Sequence, residues 1–185
     1  MTVKSLVLLI LGGVLANNYA LTQLLGVGPF LGYAKKTSKI VGMGLCVTIV
    51  MVLAAAILWP VQTYVLGERL AYMQTVVFLL VIVAIVYVVG LVAAKVLHQP
   101  LKAYAPIIAL NSAVLGVAIN NITAGYTYVE SLASALGVGL GFLAAMLALA
   151  GVDEKINERH VPAPFRGLPI QLLAASIISM AVMAF

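Results

Sequence analysis

The chain has five carboxylates, Glu68, Glu130, Asp153, Glu154 and Glu158, and each falls at the end of an apolar run or in a loop between runs. No acid sits in the middle of a hydrophobic stretch, so a proton relay through buried carboxylates is hard to build from this chain alone. Cys46 is the single cysteine. It cannot pair within the chain, and its place inside an apolar run suits a buried structural thiol. No phosphate-binding loop, HExxH, CxxC or nucleophile elbow is present. The polar chemistry left inside the apolar runs is uncharged: Asn17-Asn18 with Thr22 and Gln23 in the first run, and Asn111-Ser112 with Asn120-Asn121 in a later one. In lipid such groups must find partners. They serve either as ties between helices or as the lining of a polar seam, and for each residue taken singly both readings stand.

These side chains are carried by 185 residues, of which 64% are hydrophobic and 8% charged, with mean hydropathy +1.20. Soluble domains carry roughly 25% charged residues and about 45–50% apolar ones. The composition therefore excludes a soluble enzyme, a disordered tail and a nucleic-acid module, and the lone cysteine excludes a disulfide scaffold. The length leaves room for about six spans of roughly 20 residues. Apolar runs cover Ser5 to Leu25, Ile40 to Trp59, Met73 to Leu97, a short interrupted stretch from about Tyr104 to Ile119, then Val129 to Ala150 and Leu168 to Phe185. Runs such as Val76 to Val89 do not alternate apolar and polar residues, which excludes transmembrane β-strands. The predicted fold class is all-α: a single polytopic membrane domain of six helices. Lys4 before an apolar stretch, with Val14-Leu15-Ala16 behind it, resembles a secretory signal and its cleavage site. The residues that follow make better sense as part of the same helix.

The formal charge of +5 is a topology signal. Lys35, Lys36, Lys39, Lys95, Lys102, Lys155, Arg159 and Arg166 fall on one side of the predicted spans, and only Lys4 and Arg69 on the other. The positive-inside rule places the larger group in the cytoplasm and both termini outside. Trp59, Tyr64 and Tyr72 flank the loop after the second span, as outer-interface aromatics would.

The halves, residues 1–98 and 101–185, match each other weakly at an offset of roughly 93–95 residues. Leu15-Ala16-Asn17-Asn18-Tyr19-Ala20-Leu21 matches Ala109-Leu110-Asn111-Ser112-Ala113-Val114, and Gly42-Met43-Gly44 matches Gly137-Val138-Gly139. Three spans per half make the halves inverted in the membrane. Such repeats place a functional site near the midplane on interrupted helices. The interruptions fall at Asn17-Asn18 with Gly26-Val27-Gly28-Pro29, and at Asn111-Ser112 with Gly116 and Asn120-Asn121. Gly28 with Gly32, and Gly137 with Gly141, have the small-xxx-small spacing of close helix contacts. Beyond the fifth run, Asp153 to Arg159 can extend that helix by a few turns, until Val161-Pro162-Ala163-Pro164-Phe165-Arg166-Gly167 breaks it.

Asn17-Asn18, Leu25-Gly26 with Pro29-Phe30, Gly32 with Lys35-Lys36, Gly42-Met43-Gly44-Leu45, Asn111 with Ala113 to Ala118, and Val161 to Gly167 together resemble the RnfA/NqrE membrane subunits of ion-translocating electron-transport complexes, on the RnfA side. The resemblance spans nearly the whole chain. It implies six helices in two inverted repeats, both termini outside, a homologous partner of opposite topology (RnfE-like), further redox subunits and a prokaryotic inner membrane. It also implies one [2Fe–2S] cluster, shared with the partner and held by cysteines on the interrupted first and fourth helices. Here the chain departs from the family. Gly28 stands where a cysteine precedes Pro-Phe, Ser112 stands where a cysteine follows Asn, Gly90 replaces an acid, and Tyr87 a glutamine. Glycine has no ligand atom, and thiolates are the usual cluster ligands, so no cluster or metal is expected on this chain and no residue is expected to be catalytic. Within the resemblance, Asn17, Asn18, Asn111 and Ser112 line a midplane seam. Lys35, Lys36, Lys39, Arg159, Pro162, Pro164, Phe165 and Arg166 form a cytoplasmic docking face. The expected function is an RnfA-like subunit that helps couple electron flow to Na⁺ or H⁺ movement. The alternatives are a cluster-free paralogue acting as a small transporter or pore, and a structural assembly subunit.

Overall fold

The computed structural model describes residues 3–15, 18–26, 37–67, 70–96, 111–156 and 161–183, and among them every regular element is helical. In chain order these are α1 (Val3–Val14), α2 (Tyr19–Thr22), α3 (Thr37–Pro60), a π-wound turn (Val61–Leu66), a 3₁₀ turn (Ala71–Met73), α4 (Gln74–Val96), α5 (Ser112–Thr123), α6 (Tyr128–Lys155), a 3₁₀ turn (Ala163–Phe165) and α7 (Leu168–Met183). Four stretches are long and apolar enough to cross a bilayer: Lys4–Thr22, Ile40–Leu66, Ala71–Val92 and Tyr128–Lys155. Ser112–Thr123 and Leu168–Val182 are shorter apolar helices. At 1.5 Å per residue α5 extends about 18 Å, short of the roughly 30 Å hydrocarbon core.

Three predicted boundaries are corrected. The second span does not end at Trp59. Pro60 has no N–H to give to the turn before it, and the chain answers by winding wider through Val61–Leu66. Gly67, at φ +52°, stops that turn with its N–H on the Gln62 carbonyl at 2.9 Å. Nor does the fourth run end at Gly116: the helix α5 starts after Asn111 and continues through Gly116 and Asn120-Asn121 to Thr123. The charged extension of the fifth run is shorter than expected: α6 takes in Asp153 to Lys155 and ends at Ile156, which is extended (φ −73°, ψ 115°). Val161 to Gly167 is irregular, with Pro162 and Arg166 extended on either side of one 3₁₀ turn.

α6 is the central element, with α3 and α1 packed along it and α2, α5 and α7 touching it. Glu130 and Thr127 start it with a capping box, the Thr127 N–H donating to Glu130 Oε2 at 2.8 Å. The core between α3, α4, α5 and α6 is built from Val47, Met51, Leu58, Phe78, Ile82, Val114, Phe142 and Met146, all essentially fully buried. Glycine sets the approach of α1. A Cβ on Gly137 would lie 2.7 Å from the Ile10 carbonyl oxygen, and one on Gly13 would lie 2.8 Å from the Val138 nitrogen. The close contact expected of Gly137 and Gly141 is therefore present, with α1 as its partner.

Candidate functional site

α2 and α5 both start on an asparagine. Asn18 (φ −76°, ψ 97°) precedes α2 and accepts the Ala20 N–H on its side-chain oxygen at 3.2 Å. Asn111 (φ −71°, ψ 112°) precedes α5 and accepts the Ala113 N–H in the same way at 2.9 Å. In each case an extended backbone and a short amide satisfy one of the orphan donors of a helix start. The same residue in a similar extended conformation thus starts α2 and α5.

The two caps are tied differently. Asn18 Nδ2 donates to the Gly141 carbonyl at 2.8 Å and to the Val14 carbonyl at 3.2 Å, which locks the break onto α6. Asn111 Nδ2 has no partner, although the residue is 2% exposed. After α2 the chain reverses through Leu24 (φ +54°) and Gly26 (φ +78°). There the Gly26 N–H donates to Ser112 Oγ at 3.0 Å, joining the end of one break to the start of the other. A side chain on Gly26 would run into Asn111, Phe142 and Ala113. Leu25 lies against Gly116, and further along Tyr19 and Gln23 share a groove of about 240 Å³ with Ile119, Asn120 and Thr123. The order of these contacts makes α2 and α5 antiparallel neighbours.

Of the predicted seam, Asn111 and Ser112 lie against Gly26 after α2, with Ser112 exposed, while Asn18 lies at the start of α2 and is tied to Gly141 and Val14. Asn17 and Gly28 lie outside the described residues. So do Lys35, Lys36 and Arg159 of the predicted docking face, and the side chain of Lys39. Pro162, Pro164, Phe165 and Arg166 are all exposed, and the Arg166 Nε–H donates to the Val161 carbonyl at 2.9 Å. Sequence reasoning did not single out Thr48, whose hydroxyl bridges the Gly44 and Gly139 carbonyls, or Ser179, whose hydroxyl donates to the Leu21 carbonyl. Lone hydroxyls in apolar runs give no signal that tells a bridge from a bystander.

The donor set does not fit the [2Fe–2S] cluster that the resemblance implies. Ser112 offers a hydroxyl already engaged by the Gly26 N–H. Position 28 is a glycine without a ligand atom. Cys46 is half-buried within α3 against the core, away from both helix breaks in the chain. A cluster wants thiolates at the breaks.

Comparison with known proteins agrees with this architecture. The family profile described as "Rnf-Nqr subunit, membrane protein" matches residues 6–185. The chain belongs to the Rnf-Nqr membrane-subunit family. It is 43% identical to the A-subunit of the ion-translocating oxidoreductase complex of Syntrophotalea carbinolica, over 98% of this chain and 96% of that protein. It is 39% identical to the A-subunit of the Na(+)-translocating ferredoxin:NAD(+) oxidoreductase complex of Acetobacterium woodii, again over 98% and 96%. With the corresponding ion-translocating oxidoreductase subunit of Escherichia fergusonii the identity is 40%, over 96% and 94%. The Rnf-Nqr resemblance read from the asparagine and Pro-Ala-Pro-Phe-Arg-Gly motifs is borne out, and the chain is a multi-pass membrane protein.

Proposed function

We propose that this chain is an integral subunit of a multi-subunit complex that couples electron transfer to the translocation of Na⁺ or H⁺. It sits in the inner membrane of a prokaryote with both termini outside, beside further redox subunits and an RnfE-like homologous partner. The reading is carried by its near full-length identity to the A-subunits of such complexes. The paired Asn18 and Asn111 breaks support a common scaffold of two inverted repeats, residues 1–98 and 101–185. The chain's own part is positional. Asn18 pins one break to α6, Ser112 clasps the other break to Gly26, and no side chain at these breaks supplies a cluster thiolate. Pro162, Pro164, Phe165 and Arg166 give the complex a cytoplasmic contact surface.

Native purification through a tag on this chain tests the assignment. Co-purification with redox subunits is the expected result, and recovery of the chain without them overturns it. Iron, acid-labile sulfide and low-temperature EPR on the same preparation test the cofactor reading. No [2Fe–2S] signal is expected beyond those of the other redox subunits, and an additional membrane-embedded signal would overturn that part alone.

A further inference from the structure

Where α5 hands over to α6, two buried side chains carry polar atoms that the fold does not use. Asn121 is 2% exposed; its Nδ2–H donates to the Ser131 carbonyl at 3.1 Å, and its Oδ1 has no partner. Ser131 is 1% exposed, and its Oγ has no partner either. The habits of the other helix hydroxyls make Ser131 unusual. Thr22, Thr48, Thr63, Thr123 and Ser176 each donate to the carbonyl four residues back, at 2.9–3.0 Å. That is the ordinary way for a hydroxyl on a helix to be satisfied. Ser131 does not use it. Asn121, unlike Asn18, leaves its amide oxygen open. The amide cannot be flipped to repair this, because its oxygen would then face the Ser131 carbonyl. Ser134, also buried, lies one turn further along the same face of α6.

The open atoms are both oxygens with free lone pairs, on two residues tied to each other by the bond from Asn121 Nδ2 to the Ser131 carbonyl. The electrostatics at this end favour a positive ligand. Asn121 lies in the last turn of α5, near the negative pole of that helix. The Glu130 carboxylate adjoins Ser131 in the chain and, with Thr127, caps the opposing positive pole of α6. No lysine or arginine occurs between Asn111 and Val152. Asn120, Ala124 and Gly125, close to Asn121 in the chain, are exposed, while the two open oxygens are buried. We propose that Asn121 Oδ1 and Ser131 Oγ, backed by Ser134, form a binding site for a small monovalent cation. Neutral oxygens suit a single charge, whereas divalent ions of this hard class usually draw on carboxylates. The ion keeps part of its water shell, because two or three side-chain oxygens do not complete its coordination.

The test needs no electron transfer, so it stands or falls apart from the functional assignment. The purified full chain in lipid nanodiscs is heated in sodium chloride and in choline chloride at equal ionic strength. A saturable rise of Tm in sodium over choline is expected. Equal Tm values in the two salts overturn the proposal and leave a buried water as the occupant. Ser131→Ala should weaken the sodium dependence at least tenfold in concentration, and Ser131→Thr, which keeps a hydroxyl, should retain it. If Ser131→Ala does not fold, the wild-type comparison and Ser131→Thr decide the matter. An unchanged sodium response in Ser131→Ala assigns the effect to another site and overturns this one.

Discussion

Asn18 and Asn111 start their helices by the same bond, but only Asn18 also reaches across to a second helix. Removing a helix cap of this kind costs about 0.5–2 kcal/mol. Asn111→Ala loses its bond to the Ala113 N–H and little else, since Nδ2 has no partner. Asn18→Ala loses the Ala20 bond and the ties to Gly141 and Val14 as well, adding about 1 kcal/mol. Unfolding by heat or by detergent titration should therefore rank Asn18→Ala below Asn111→Ala, with both below wild type. Equal losses would mean that the Gly141 tie contributes nothing. At this scale the sequence was half legible. Two adjacent asparagines in an apolar run announce a break, but letters cannot say which one turns the backbone. The weak sequence match set Asn17 against Asn111, whereas it is Asn18 that accepts the N–H two residues on, as Asn111 does. Ser112 was legible as a missing cysteine, but its hydroxyl's grip on Gly26 was not, because that bond joins positions 86 residues apart.

Among the elements, α6 is held between two neighbours by glycines on opposite sides. Residues two apart on a helix differ by about 200° in direction, and residues four apart by about 40°. Gly137 and Gly141 accordingly both face α1, while Gly139 faces Thr48 on α3. The four-residue spacing was readable as a contact stripe, but its partner was not, because Gly13 sits in a run that offers no matching repeat. Filling these sites should be costly in proportion to what a side chain would meet. Gly137→Ala places a methyl against the backbone of Ile10 and should destabilise by about 1–3 kcal/mol. Gly42→Ala on α3 meets nothing within 4 Å and should be neutral or stabilising by up to about 1 kcal/mol, from helix propensity. Thermal unfolding of the two variants side by side checks the sign of each. Loss of stability in Gly42→Ala would show that its face is covered by something other than lipid.

For the molecule as a whole, the ends of the bundle differ in chemistry, and the difference supports the proposed sense in the membrane. At one end the Trp59 Nε1–H donates to the Tyr126 carbonyl at 2.8 Å, with Tyr64 and Tyr128 packed edge-on against the indole. α6 then carries the chain about 42 Å to the other end. There Gln171 Nε2 donates to Asp153 Oδ1 at 2.9 Å, and Lys155 and Arg166 bring positive charge. Aromatic amphiphiles populate both interfaces, but basic residues accumulate on the cytoplasmic side. In the orientation proposed above, the charged end is the inner one. Between the ends, α4 gives one face to the core through Phe78 and Ile82, and only 22% of its apolar window is buried inside the chain. Its Val76, Leu80, Tyr87 and Val88 face outward, where lipid or a neighbouring subunit covers them. Orientation can be read in intact cells with a membrane-impermeant thiol reagent, in a Cys46→Ala background so that each variant carries one thiol. Tyr72→Cys, at a position 79% exposed beside the aromatic end, should be labelled from outside. Arg166→Cys should react only after the membrane is opened. The reverse pattern would place the basic end outside and would require both termini to be cytoplasmic.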